Sequence, residues 1–109
     1  MQIRQGDVFL ELIEDTASIE LGERVPLERG AIVLAHGEST GHSHAIRDSG
    51  ATLFFGKDKA ANADRFLRVL RPVSLLHEEH APVDLVPGLY RVRRQREFTD
   101  DMEPRVVQD

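Results

Sequence analysis

The sequence predicts an all-β fold, a small single-domain β-barrel or sandwich. Its apolar segments are short, strand-favouring residue types dominate them, and turn residues separate them at intervals of about 8–12 residues. The length of 109 residues, with 40% apolar and 30% charged residues, fits one autonomous globular domain. We assign residues 1–98 to this domain and residues 99–109 to a polar C-terminal tail.

The first clear strand follows Gly6-Asp7 and runs from Val8 to Ile13. Its residues alternate, so that Val8, Leu10 and Leu12 share one face. Residues 14–29 are acidic and are interrupted by glycine and proline, which predicts a loop with one short extended piece. Further strands are predicted where β-prone segments are bounded by turn residues, at residues 31–35, 42–46, 51–55, 66–70 and 89–98.

The composition excludes several kinds of site and partner. The chain has no cysteine, so a transition-metal site must use histidine, aspartate or glutamate. The formal net charge of −5 argues against bulk attraction to nucleic acid. The N-terminus lacks the apolar core of a signal peptide, and no apolar run approaches the roughly 20 residues that span a bilayer. We therefore expect a cytoplasmic protein without membrane attachment, whose small core is compatible with a homodimer.

Four of the five histidines fall in two close pairs, His42 with His44 and His77 with His80. His42 and His44 alternate within a predicted strand, so both project from one face. His77 and His80 are three residues apart, so only a tight turn or bulge lets both converge. Neutral imidazole nitrogens are common ligands of zinc and similar ions. We therefore predict a site for a divalent metal ion, either zinc, manganese, iron or nickel, at these histidines, and a structural role for His36.

The segment from Gly37 to Gly56 resembles the first motif of the cupin family. In that motif a glycine precedes His-x-His, and a glutamate and a second glycine follow. Here Gly37 precedes His42-Ser43-His44, and Asp48 occupies the position of the glutamate. The spacings differ by one residue on either side of the histidines.

The resemblance implies a small β-barrel that binds a divalent metal through His42, His44 and one of His77 or His80, with Asp48 as an oxygen ligand. The second cupin motif places a Pro-x-Gly turn before its histidine, whereas here the histidines precede Pro87-Gly88. The blocks at residues 40–44 and 77–82 also resemble signatures of a small uncharacterised bacterial or phage family.

The segment from Tyr90 to Phe98 is rich in arginine. Alternation places arginine on both faces, with residues 90, 92, 94 and 96 on one face and residues 91, 93, 95 and 97 on the other. This pattern favours a solvated edge strand, whose charges hinder pairing with another chain and find partners among the acidic residues of the first 28 positions. Alternatively, Arg94 and Arg96 bind a phosphate or carboxylate beside the histidines.

These features support three functions. The leading hypothesis is a metal-dependent hydrolase or cupin-like enzyme acting on a small or anionic substrate, with Glu78 or Glu79 as general base or extra ligand. The second is a metal-free phosphodiesterase, in which paired histidines act as acid and base and Arg94 or Arg96 stabilises charge. The third is a non-catalytic adaptor that binds a partner through residues 90–98.

Overall fold

The computed structural model describes residues 1–36, 41–57 and 64–94. Within these ranges the chain forms ten β-strands and one short 3-10 helix, Thr16–Ser18. The strands are, in chain order, β1 (Gln2–Gln5), β2 (Val8–Leu12), β3 (Leu21–Arg24), β4 (Ile32–His36), β5 (Ser43–Ile46), β6 (Ala51–Gly56), β7 (Arg65–Val69), β8 (Val73–Leu75), β9 (Val83–Leu85) and β10 (Gly88–Arg94).

Six strands form an antiparallel sheet in the order β1-β2-β10-β7-β6-β3. β1 and β2 are joined by a two-residue turn, Gly6-Asp7, in which Gly6 has a φ of 59°. Glycine at the first position of such a turn is typical, because it adopts positive φ without steric cost. The register places Arg94, the last residue of β10, opposite Val8. Arg94 therefore lies beside the β1–β2 turn.

β10 is an interior strand, so the prediction of a solvated edge strand is wrong. It pairs with β2 on one side and β7 on the other. Tyr90 and Val92 are buried, as the alternation predicts. Arg91 contacts carboxylates of Glu11 and Asp64 at 3.2 and 3.0 Å. These ion pairs let an arginine-rich strand lie inside the sheet, because neighbouring strands supply the opposite charge.

The remaining strands form two antiparallel ribbons, β4–β5 and β8–β9. Ala45 and Leu76 exchange two backbone hydrogen bonds, of 2.9 and 2.8 Å, which join β5 to the end of β8. Apolar residues of the ribbons share one core with those of the six-stranded sheet, among them Leu34, Ile46 and Leu85 with Leu10 and Leu67. The fold therefore has two layers over a common core.

The all-β prediction is confirmed. The described part of the chain contains no α-helix, and its six-stranded sheet has open edges at β1 and β3 rather than closing into a barrel. The short strands β1, β8 and β9 were not predicted, because three or four residues give no clear alternation. Within the described ranges no helix has the length and apolarity needed to cross a membrane. Residues 95–98 and the predicted tail lie outside those ranges.

Candidate metal centre

One end of the two-layer fold brings four histidines together. His42 lies immediately before β5 and His44 lies within it, whereas His77 and His80 lie in the loop between β8 and β9. The backbone pairing of Ala45 with Leu76 holds β5 beside the start of this loop. Both histidine pairs therefore reach the same place from different parts of the chain.

The ring of His77 lies at the centre of this group, which we call the histidine cluster (His42, His44, His77 and His80). Its centroid is 5.6 Å from that of His42, 4.3 Å from that of His44 and 4.7 Å from that of His80. His44 is fully buried, and the other three are partly exposed. The cluster is therefore closed to solvent at His44 and partly accessible at the other three histidines.

A tight turn brings His77 and His80 to the same side. Nδ1 of His77 accepts hydrogen bonds from the backbone N–H groups of Glu79 and His80, at 3.0 and 3.2 Å. A side-chain acceptor that binds backbone N–H groups two and three residues ahead stabilises a turn in the same way as an Asx or N-cap residue. This turn overcomes the odd spacing, which on a regular strand would point the two histidines apart.

Gln5, at the end of β1, fixes which ring nitrogen of neutral His44 carries the proton. Gln5 Nε2 donates to the carbonyl oxygens of Leu75 and Ala81 at 2.9 and 3.0 Å, so its Oε1 is the atom that faces His44 Nδ1 at 2.8 Å. Because Oε1 can only accept, Nδ1 of His44 carries a proton. In neutral His44 the lone pair is therefore on Nε2.

Asp7, in the β1–β2 turn, is the carboxylate closest to this lone pair. Its side chain is fully buried, and its Oδ1 lies 3.5 Å from His44 Nε2. Arg94 donates to the other oxygen, Oδ2, from Nε at 3.2 Å and from Nη2 at 2.8 Å. A buried carboxylate requires such a partner, because the desolvation of an unpaired charge is costly. Arg94 thus fixes Asp7 with Oδ1 directed at the cluster.

Glu78 joins the histidine loop to β5. Its Oε1 accepts a hydrogen bond of 2.9 Å from the backbone N–H of Ser43. This bond is the main cause that lowers the pKa of Glu78, and the nearby His77 and His42 act in the same direction. A lowered pKa makes the carboxylate a weaker base, which does not favour Glu78 as general base at neutral pH. One potential ligand atom each of His42, His77 and Glu78 lies within 4.8 Å of the others.

The other predicted site residues have different surroundings. Glu79 is exposed, and its Oε2 lies 3.7 Å from Nδ1 of His42. Asp48 does not belong to the group of close ligand atoms from His42, His77 and Glu78. Its Oδ1 instead accepts from the backbone N–H of Gly50 at 2.7 Å and from Arg71 at 3.1 Å. Arg96 lies outside the described residues.

His36 and Arg94 also have partners within the chain. His36 is exposed, and its Nε2 lies 3.1 Å from Oε1 of Glu28. Arg94, predicted to bind an anion, donates instead to Asp7 and to the carbonyl oxygen of His36. An anion at Arg94 would have to compete with a buried carboxylate.

Gln5 and Asp7 are candidate functional residues that sequence reasoning missed. Asp7 follows a glycine in a hairpin turn, where aspartate is common for local reasons. Gln5 stands at the end of a strand too short to predict. One signal could have found Asp7. Arg94 lies on a strand face that is otherwise apolar, so it needs a carboxylate from within the fold.

The comparisons with known proteins give a family but no activity. No curated protein and no solved structure matches the chain significantly. The model of a domain of unknown function, DUF8820, matches residues 4–95, a range that contains the cluster together with Gln5, Asp7 and Arg94. No cupin family model matches the chain, so the resemblance to cupins is not confirmed. The chain belongs to the DUF8820 family.

Proposed function

We propose that the chain binds a divalent transition-metal ion through the histidine cluster and Asp7. The observation that carries this proposal is the contact of 3.5 Å between His44 Nε2 and Asp7 Oδ1, both on fully buried side chains. Because Gln5 holds the proton of neutral His44 on Nδ1, the two facing atoms are both acceptors whenever His44 is neutral. A bound cation would convert this repulsion into two favourable contacts.

Two further ring nitrogens support a shared ligand. Nδ1 of His42 and Nε2 of His80 are buried and form no hydrogen bond with the described residues. A buried polar atom without a partner costs about 1–3 kcal/mol, so such atoms are uncommon in folded proteins. A single bound ion would supply a partner for these nitrogens at once, which supports the proposal.

We assign His42, His44 and His80 as nitrogen ligands and Asp7 as the oxygen ligand. This set differs from the compact group of His42, His77 and Glu78, because His77 Nδ1 and Glu78 Oε1 already accept backbone hydrogen bonds. Imidazole and carboxylate donors suit zinc, manganese, iron and nickel, and the cysteine-free sequence offers no thiolate alternative. Gln5 and Arg94 orient His44 and Asp7, as groups around metal ligands commonly do. When bound, the ion would supply Lewis-acid chemistry toward a substrate oxygen, as in a metal-dependent hydrolase or cupin-like enzyme.

The metal content of freshly purified protein, measured by elemental mass spectrometry, tests the proposal. We expect near-stoichiometric metal in the wild type, directly or after incubation with zinc, manganese, iron or nickel, and its loss in a His42→Ala/His44→Ala double variant. His80→Ala provides a second variant with a partly exposed side chain, so that loss of metal can be separated from loss of folding. His36→Ala is the matched control, because His36 lies outside the cluster.

Folded wild-type protein that takes up none of these metals would contradict the proposal. The metal-free phosphodiesterase would then be the next hypothesis, and RNA cleavage that persists in chelator but is lost in His77→Ala would support it. If the protein neither binds metal nor cleaves RNA, the adaptor hypothesis remains. Weaker binding to a partner in Arg91 variants would support it.

A further inference from the structure

His77 differs from the other cluster histidines in how its ring is held. Both backbone N–H groups of the turn, from Glu79 and His80, point at its Nδ1. An imidazole nitrogen that accepts hydrogen bonds must carry the lone pair, and in neutral imidazole the proton is then on the other nitrogen. Neutral His77 is therefore protonated on Nε2, the opposite of the tautomer that Gln5 gives to His44.

This tautomer prevents His77 from binding a metal in the usual way. Proximity alone would make it a ligand, since one of its nitrogens lies within 4.8 Å of potential ligand atoms of His42 and Glu78. However, a metal needs a lone pair on Nε2, so the proton would have to move to Nδ1. The Nδ1–H would then face the backbone N–H groups of Glu79 and His80, and three donors would meet without an acceptor. Ligation through Nε2 would thus break the turn that brings His77 and His80 together.

We propose that His77 is a hydrogen-bond donor to a small oxyanion held at the metal centre. Its Nε2 is buried and forms no hydrogen bond with the described residues, so the N–H is available to an acceptor outside them. The ring lies 4.3 Å from that of His44 and 4.7 Å from that of His80, so the donor is close to the assigned ligands. A carboxylate or phosphate oxygen bound to the ion supplies such an acceptor. This inference rests on the proposed metal site.

The choice of His77 variants separates the two ring nitrogens. In His77→Asn the side-chain oxygen occupies nearly the place of Nδ1, so the turn keeps its acceptor while the Nε2–H is lost. In His77→Gln the amide reaches toward Nε2, but the acceptor at Nδ1 is lost. We expect His77→Asn to bind cobalt(II) within about threefold of the wild-type affinity, because it keeps the turn acceptor and removes no assigned ligand. His80→Asn should bind it at least tenfold more weakly, because it removes an assigned ligand.

Titration of the cobalt-loaded protein with acetate and with inorganic phosphate, followed by visible absorption, measures the oxyanion. The wild type should respond to at least one of the two, which identifies the carboxylate or the phosphate as the ligand chemistry. In His77→Asn the same anion should bind about tenfold more weakly, the usual effect of losing one charge-assisted hydrogen bond. His36→Ala should match the wild type.

Ring nitrogen NMR on histidine-labelled protein gives a readout that does not depend on metal loading. Signals of His77, assigned by their loss in His77→Asn, should show protonated Nε2 in the metal-free protein and in the zinc-loaded protein. Protonated Nδ1 in the zinc-loaded form, loss of cobalt binding in folded His77→Asn, or the absence of any response to both anions would overturn the inference. If the wild-type protein binds no metal but its His77 is protonated on Nε2, the proposed metal site is wrong and the tautomer of His77 is right.

Discussion

At the scale of single residues, Gln5 is the side chain on which the site depends most. Its amide nitrogen binds the carbonyl oxygens of Leu75 and Ala81, which flank the histidine loop, and its oxygen binds His44. One buried side chain therefore holds the loop in place and fixes a tautomer. A glutamine suits this position because its amide carries both donors and an acceptor.

We predict that Gln5→Glu destabilises the protein by about 2–4 kcal/mol. A carboxylate at this buried position offers no donor to the two carbonyl oxygens and introduces a charge beside them. Urea denaturation followed by circular dichroism measures the change. Gln2→Glu is the matched control, because Gln2 is an exposed residue of the same strand and the same substitution there should change stability by less than about 0.5 kcal/mol.

Tyr90, the single tyrosine of the chain, provides a prediction on pH. Burial raises its pKa, against the smaller opposite effect of the hydrogen bond to the carbonyl oxygen of Val86. The unfolded chain ionises near a pKa of about 10, so the stabilisation linked to Tyr90 is complete below that pH and is lost as the pH rises through the folded pKa.

The free energy of unfolding should therefore fall more steeply above about pH 10 in the wild type than in Tyr90→Phe. Urea denaturation between neutral pH and pH 11 gives this comparison, and phenolate absorbance reports the ionisation directly, since no other tyrosine contributes. Parallel curves for the two proteins would contradict the role of burial.

At the scale of elements, the loop between β8 and β9 is held at three points. Gln5 binds both of its ends, His77 closes its turn, and Glu78 attaches it to the N–H of Ser43 at the start of β5. The two acidic residues of the loop therefore have different functions, although they are adjacent in the sequence. Glu78 is a structural link, whereas Glu79 forms no backbone link to β5 among the described residues and its carboxylate lies 3.7 Å from Nδ1 of His42.

We predict that Glu78→Ala weakens metal binding about tenfold, whereas Glu79→Ala changes it by less than about threefold. Loss of the bond to Ser43 lets the loop move away from β5, so that His80 is no longer held beside His44. Isothermal titration with zinc measures both affinities. Equal effects of the two substitutions would show that the attachment to Ser43 does not position the loop.

At the scale of the whole molecule, the assigned ligands join three separate segments: the β1–β2 turn, β5 and the β8–β9 loop. An ion bound to all three should stabilise the complete fold, because the unfolded chain does not hold these residues together. At free zinc about 100 times its dissociation constant, the free energy of unfolding should rise by about 2.7 kcal/mol. Calorimetry with and without zinc measures this rise, and His80→Ala should show little of it.

The sequence predicted the fold class, most of the strands and the four histidines, because these depend on local patterns. Alternation identified β2 and the buried face of β10. Alternation did not identify β10 as an interior strand. The charge pattern placed the partners of its arginines among the acidic residues of the first 28 positions, which holds for Glu11 with Arg91 but not for Asp64. Sequence reasoning also missed Gln5 and Asp7, whose function arises only from contacts across the fold, and it could not choose between His77 and His80, because the choice depends on a turn made by backbone N–H groups.

The ion pair between Asp7 and Arg94 has a consequence for synthesis of the chain. These residues are 87 positions apart. At about 5–20 residues per second, a ribosome adds the intervening segment in about 4–17 s, so Asp7 is made well before the strand that carries Arg94. The ion pair that fixes Asp7 therefore forms only after nearly the whole domain has been synthesised, and metal binding that depends on this ion pair would follow folding.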